Sequence, residues 1–220
     1  MTDGPTTPTP PPGGMPGAPA PSLVDRVKNI LLTPKTEWPR IEAEPSTISG
    51  IFTSYVVILA AIGPIASLVG QQVFGLGYWK PSIGYSLGSA VLTYLLSLVV
   101  VYVLSLIIDA LAPTFGGTKD PVRAFKVAAY AQTPGWVAGI FGLIPMLAWI
   151  GMLAGLYGIF LIYLGLPRLM RITEDKAVGY TVSIVVAWVV LFFITAFVIG
   201  MLVATFFGVA TITAPTVVRY

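Results

Sequence analysis

The chain of 220 residues contains neither Cys nor His, so thiolate nucleophiles, Cys metal sites, the commonest metal ligand and the commonest general base are all missing. Within its apolar runs a single carboxylate remains, Asp109. An ionisable group inside a membrane span is a functional candidate whose partner must be named. Asp109 sits about one turn from the end of its run, which places Arg123 and Lys126, at the start of the next run, as candidate partners in an interfacial ion pair. The competing role is a proton or cation relay, which normally needs further intramembrane carboxylates or histidines, and this chain has none. Other polar groups within the runs are few: Gln71, Gln72, Gln132 and Thr133. With no paired carboxylates in the runs and no Gly-rich phosphate loop joined to a Lys, the sequence predicts no catalytic residue, no cofactor and no metal site, and hence no enzyme.

The elements that must position these residues follow from composition. Hydrophobic residues make up 56% of the chain and charged ones 10%, far below the roughly 25% of a soluble domain. No Lys, Arg, Asp or Glu occurs between Glu44 and Lys80, Lys80 and Asp109, Lys126 and Arg168, or Lys176 and Arg219. Each gap suffices to cross a bilayer, which takes about 20 apolar residues. The pattern predicts an all-α integral membrane protein with five transmembrane helices at about 48–72, 83–111, 124–142, 145–166 and 178–206, the long run 127–167 being divided at Gly142–Pro145. The membrane domain thus covers 48–210, followed by a short tail, 211–220. Pro64 and Pro134 fall inside spans, where each removes a backbone hydrogen bond and favours a kink; with Gln132 and Thr133, Pro134 makes the third span polar and broken.

Charge placement sets the orientation. Of the 12 Lys and Arg residues, ten lie before the first span, after the second and after the fourth, against Lys80 and Arg219 on the other side. Positive residues stay in the cytoplasm, which predicts a cytoplasmic N-terminus and an external C-terminus. The net charge of +3 is therefore a topology signal, and without a dense basic run it predicts no nucleic-acid partner.

Residues 1–21 are almost entirely Pro, Gly, Thr and Ala, a composition that cannot bury a core and predicts a disordered tail; Pro5, Pro8 and Pro11 satisfy PxxP, a spacing that such tails produce by chance. Residues 22–47 read as an amphipathic interfacial helix and a loop. Ser22 caps a helix with Leu23, Val24, Val27, Ile30 and Leu31 on one side and Asp25, Arg26, Lys28 and Asn29 on the other. Two arrangements are open: the helix lies in the headgroup plane with Arg26 and Lys28 as lipid-surface contacts, or its apolar face packs on the protein's own helices. Thr33 to Arg40, with prolines at 34 and 39, reads as a surface loop. Gly84 and Gly88, Gly135 and Gly139, and Gly151 and Gly155 have the four-residue spacing that lets helix backbones approach in lipid, against another span or a second copy.

Leu164-Gly165-Leu166-Pro167-Arg168-Leu169-Met170-Arg171 with Glu174-Asp175-Lys176-Ala177 and Tyr180 resembles the loop before the last span in the bacterial branch of the Yip1 family. The entry with Pro34 and Glu37-Trp38, the Tyr130-Ala131-Gln132-Thr133-Pro134 segment and the five-span count follow the same order, and together they cover about residues 22–210. The resemblance implies a five-span helical protein of the bacterial inner membrane with a cytoplasmic N-terminus. Eukaryotic members associate with prenylated Rab GTPases and with one another; the Asp-Leu-Tyr-Gly-Pro segment of many of them is missing here, which argues against GTPase binding.

These readings point to a non-catalytic membrane scaffold or adaptor acting through helix-helix and lipid contacts, its partners being the bilayer and a homo-oligomer or other membrane proteins. The alternative is a small-solute or ion transporter or channel, which the shortage of buried polar groups and the odd span count disfavour.

Overall fold

The computed structural model describes residues 21–77 and 79–207. The expected tails, 1–21 with its PxxP spacing and 211–220, lie outside the described residues apart from Pro21. Ser22 opens α1 (Leu23–Leu32) by accepting the Asp25 N–H at 3.2 Å. Only Thr33 separates α1 from α2 (Pro34–Ala43), so the expected surface loop is a docked helix. Pro34 occupies the first turn, where no N–H is needed, and although Pro39 costs the helix one hydrogen bond, the face it belongs to buries Trp38 and Ile41, each 1% exposed.

The first long helix, Ile48–Phe74, is built from α3 (Ile48–Ile51), a π-helical turn (Phe52–Val56), α4 (Val57–Ala60) and α5 (Ile62–Phe74). At the π turn the Thr53 and Ser54 hydroxyls donate back to the carbonyls of Ser49 and Gly50, a local competition that loosens helices. The break at Ala61 lies just before Pro64, which cannot donate to the Ala60 carbonyl. The second helix, α6 (Ile83–Leu111), is capped by Ser82 and ends in a 3₁₀ turn, Ala112–Phe115.

The third run departs from a continuous span. It divides at Gln132 into α7 (Pro121–Ala131) and α8 (Thr133–Ala138), then a 3₁₀ stretch, Gly139–Leu143, before the chain turns at Ile144 into a second 3₁₀ turn, Pro145–Leu147. Pro134, in the first turn of α8, withholds the N–H that would have bonded the Tyr130 carbonyl; the Thr133 hydroxyl takes over, donating to that oxygen at 2.7 Å. The chain continues as α9 (Ile150–Met170), which starts five residues later than expected and runs through Pro167 to Arg171, whose φ of 55° ends it. Last comes α10 (Glu174–Phe207).

Among the described residues four helices are long and apolar enough to cross a bilayer: Ile48–Phe74, Ile83–Phe115, Leu153–Met170 and Glu174–Thr205. The expected span 124–142 is not one of them. It is instead the centre of the packing. Every residue from Ala124 to Ala131 is buried, and the alanines among them let α6, α9 and the π turn close around it. Along α5 and the Gly139–Leu143 stretch the backbones touch: a Cβ on Gly139 would lie 2.7 Å from Gly63 Cα, one on Gly142 would lie 2.6 Å from Ser67 Oγ, and one on Gly70 would run into the carbonyls of Gly142 and Leu143. Rising numbers on one segment meet rising numbers on the other, so the two run in the same direction. The outer face is apolar, with Ile65, Val99, Leu156, Val186, Phe193 and Phe197 all at least half exposed, as a lipid-facing surface requires.

Candidate functional site

Charged residues gather at the end of the bundle where α1 docks on α8 and α2 on α9, beside the start of α7. Arg26 projects from the inner face of α1 and is 4% exposed. Its Nη1 donates to Glu37 Oε1 of α2 at 2.6 Å, its Nη2 to Glu44 Oε2 just past the end of α2, and its guanidinium lies 5.5 Å from the centroid of the Tyr130 ring on α7. The second oxygen of Glu37 meets Arg40 at 3.5 Å. A guanidinium suits this position because its planar fork satisfies two carboxylates and stacks on an aromatic face at once.

Lys126, on α7, closes the same cluster from below. Its Nζ donates to the carbonyls of Ile41 at 2.7 Å and Glu44 at 2.6 Å. These oxygens belong to the last turn of α2, where the helix leaves carbonyls unpaired and its dipole favours a cation. Arg123, one turn earlier on α7, reaches Asp120 at 3.1 Å, Glu42 at 3.6 Å and the Leu169 carbonyl at 3.4 Å. The Tyr157 hydroxyl of α9 donates to the Leu31 carbonyl at 2.7 Å. Five polar links therefore tie the entry helices to α7 and α9.

These contacts revise two expectations and decide between the two arrangements left open for α1. Asp109 makes no ion pair with Arg123 or Lys126; its Oδ1 accepts the Asp120 backbone N–H at 2.8 Å, while Asp120 Oδ1 accepts the N–H groups of Val122 and Arg123 as the N-cap of α7. The nine-residue connection 112–120 brings the start of α7 back to the end of α6, and the backbone N–H is nearer than either cation. Arg26 is not a lipid-surface contact, because α2 folds back over it and supplies two carboxylates; Lys28, on the other side of α1, is exposed. Ile30 is fully buried while Val24 is 71% exposed, so α1 packs on the protein with only part of its apolar face.

The glycine pairs divide similarly. Gly139 makes the backbone contact with Gly63, and Gly84 and Gly88 are partly buried on α6. A Cβ on Gly135, Gly151 or Gly155 would meet nothing within 4 Å. These three instead line a cavity of ≈ 100 Å³ with Gln132 and Trp188. The seam that does close, Gly63, Ser67 and Gly70 on α5, has the same small-residue pattern at offsets of four and seven.

Sequence reasoning missed Glu37 and Glu44 because reading residues 33–40 as a loop removed the helix that carries Glu37. The available signal was Thr33-Pro34, a cap followed by a first-turn proline. It also missed Tyr55, whose hydroxyl lies 2.7 Å from Thr133 Oγ1 and whose ring meets Tyr130 edge-on at 4.8 Å. Since the Thr133 hydrogen is committed to the Tyr130 carbonyl, Tyr55 is the donor to Thr133.

A family model described as the Yip1 domain matches residues 28–197, which takes in the second half of α1, all of α2, the broken run and most of α10. The Inner membrane protein YohC of Escherichia coli strain K12 is 28% identical over 168 residues, covering 73% of this chain and 86% of the relative. The protein of the same name from Escherichia coli O6:H1 matches to the same extent. No solved structure matches significantly. Together with the four apolar helices, these relatives place the chain in a bacterial inner membrane as a multi-pass protein.

Proposed function

The chain belongs to the Yip1 domain family, and on that premise we propose that it is a non-catalytic membrane scaffold or adaptor that presents the α1–α2 cap at the cytoplasmic surface. The observation that carries this reading is the cluster of Arg26, Glu37 and Lys126, all buried, closed by the part-exposed Glu44. Buried ion pairs add little net stability over apolar packing and contribute mainly by defining one arrangement. Here they hold two short helices at one angle against the bundle, leaving Lys28, Lys35 and Arg40 exposed on a fixed surface.

The broken run supplies the fifth crossing in this reading. Residues 121–143 measure about 35 Å by their helical rise, more than the roughly 30 Å of hydrocarbon, and their second half, 133–143, runs beside α5 in the same direction. The buried position of α7 accounts for its lower hydropathy, because a helix shielded by others need not be apolar all round. Reporter fusions after residues 45, 117 and 173 should then report cytoplasm, and fusions after 78 and at 220 the outside. A cytoplasmic C-terminus would overturn the five-crossing reading.

Crosslinking and affinity purification from native membranes should recover a reproducible protein partner or a second copy of this chain. Transport is the second reading, favoured by the glycine-lined cavity at Gln132. Saturable solute flux by purified monomer in proteoliposomes would establish it and displace the scaffold.

A further inference from the structure

Three helices converge beside the cap and leave a cleft of ≈ 320 Å³. Lys35 and Trp38 enter it from α2, Tyr163, Leu164 and Arg168 from α9, and Glu174 from the start of α10. Leu164 and Arg168 are four residues apart and so stack on one helix face. The wall accordingly grades from an aliphatic side chain and a phenol to a guanidinium over one turn. Among the described residues Lys35, Arg168 and Glu174 form no ion pair, in contrast to Arg26, Arg40 and Arg123 a short distance away. Trp38 is 1% exposed, and its indole N–H is buried without an acceptor.

We infer that this cleft binds the headgroup of a membrane phospholipid bearing a primary ammonium: Lys35 and Arg168 hold the phosphate, Glu174 accepts from the ammonium, and Leu164 and Tyr163 receive the glycerol and first acyl carbons. The chemistry follows from the charges. Two cations around one opening suit a phosphodiester, since guanidinium and ammonium donors bond phosphate oxygens strongly. A purely anionic ligand leaves the carboxylate of Glu174 repelling it, whereas a headgroup carrying both signs meets all three side chains with the opposite charge. The location follows from the element order, because Arg168 and Glu174 flank the turn where α9 leaves the apolar layer, at the depth of the lipid phosphates. The assignment requires only that the chain resides in the membrane, and it holds whether or not the cap recruits a protein.

The test is native mass spectrometry of the full chain in detergent with added phosphatidylethanolamine, phosphatidylcholine or phosphatidylglycerol, and with water-soluble phosphoethanolamine as a competitor. Phosphatidylethanolamine should be retained over the other two lipids by about fivefold or more, and the double variant Lys35→Gln/Arg168→Gln should lower its occupancy about tenfold. Glu174→Gln should erase the preference over phosphatidylcholine, whose quaternary ammonium has no N–H to donate, while leaving total lipid binding within about twofold. The three side chains are exposed, so the variants keep the fold, and an unchanged melting temperature verifies that. Equal phosphatidylethanolamine binding by wild type and the double variant, or a preference for phosphatidylglycerol, would overturn the assignment. Displacement of the lipid by stoichiometric phosphoethanolamine would overturn it in favour of a soluble phosphate ligand.

Discussion

The Arg26 guanidinium and the Glu37 carboxylate meet at 2.6 Å across the α1–α2 junction with side chains 5% and 1% exposed. Eleven residues apart in the chain, they are the innermost charges of the cap; removing Glu37 leaves the buried Arg26 with only the part-exposed Glu44, and removing Arg26 leaves the buried Glu37 with only the exposed Arg40 at 3.5 Å. Glu37→Ala should therefore destabilise the protein by about 3–5 kcal/mol. Replacing both, as Arg26→Met with Glu37→Leu, should recover most of that loss, because paired apolar groups avoid the desolvation cost. Denaturant titration in detergent micelles measures both, and a double variant no better than the single one would show that the pair contributes net stability.

Thr133 and Tyr55 repair the backbone where Pro134 breaks it. Thr133→Val leaves the Tyr130 carbonyl and the Tyr55 hydroxyl unpaired, and should cost about 1–3 kcal/mol. Thr133→Ser keeps the hydroxyl and should be close to neutral. A double-mutant cycle with Tyr55→Phe should show coupling above about 0.5 kcal/mol; additive effects would mean that the two hydroxyls act independently.

Asp109 acts through a backbone amide and not through a cation. Asp109→Asn retains the Oδ1 that accepts from Asp120 and should cost no more than about 1 kcal/mol, whereas Asp109→Leu orphans that N–H at about 1–3 kcal/mol. Were the residue half of an ion pair, asparagine would be as damaging as leucine. Melting temperatures of the two variants decide between them.

One substitution, glycine to alanine, should have opposite consequences at positions that look alike in sequence. At Gly139 the new methyl would press on Gly63 Cα at 2.7 Å and force the α5 seam apart, at a cost of about 1–3 kcal/mol. At Gly151 or Gly155 it meets nothing within 4 Å, and the higher helix propensity of alanine should make the change neutral or stabilising by up to about 1 kcal/mol. Thermal unfolding of the three variants provides the comparison, and equal losses at all three would place Gly151 and Gly155 in a tight contact as well.

Sequence alone determined the features that local rules control. Charge-free gaps dictated membrane insertion because an unpaired charge is costly at the bilayer centre wherever the helix packs. Ser22 dictated where α1 begins, and Pro134 dictated that the third run breaks, since a missing N–H is a covalent fact. Tertiary structure decided what depends on distance between segments. Whether Arg26 faced lipid or protein turned on α2 folding back to bring Glu37 and Glu44 over it. Whether Asp109 met a cation or an amide turned on where the α6–α7 connection returned. Which glycines closed on a neighbour turned on which face α5 presented, and Gly63 with Gly139 were chosen over Gly151 with Gly155. Composition and spacing specify which groups need partners; only the packed arrangement of the helices specifies which partners lie within reach.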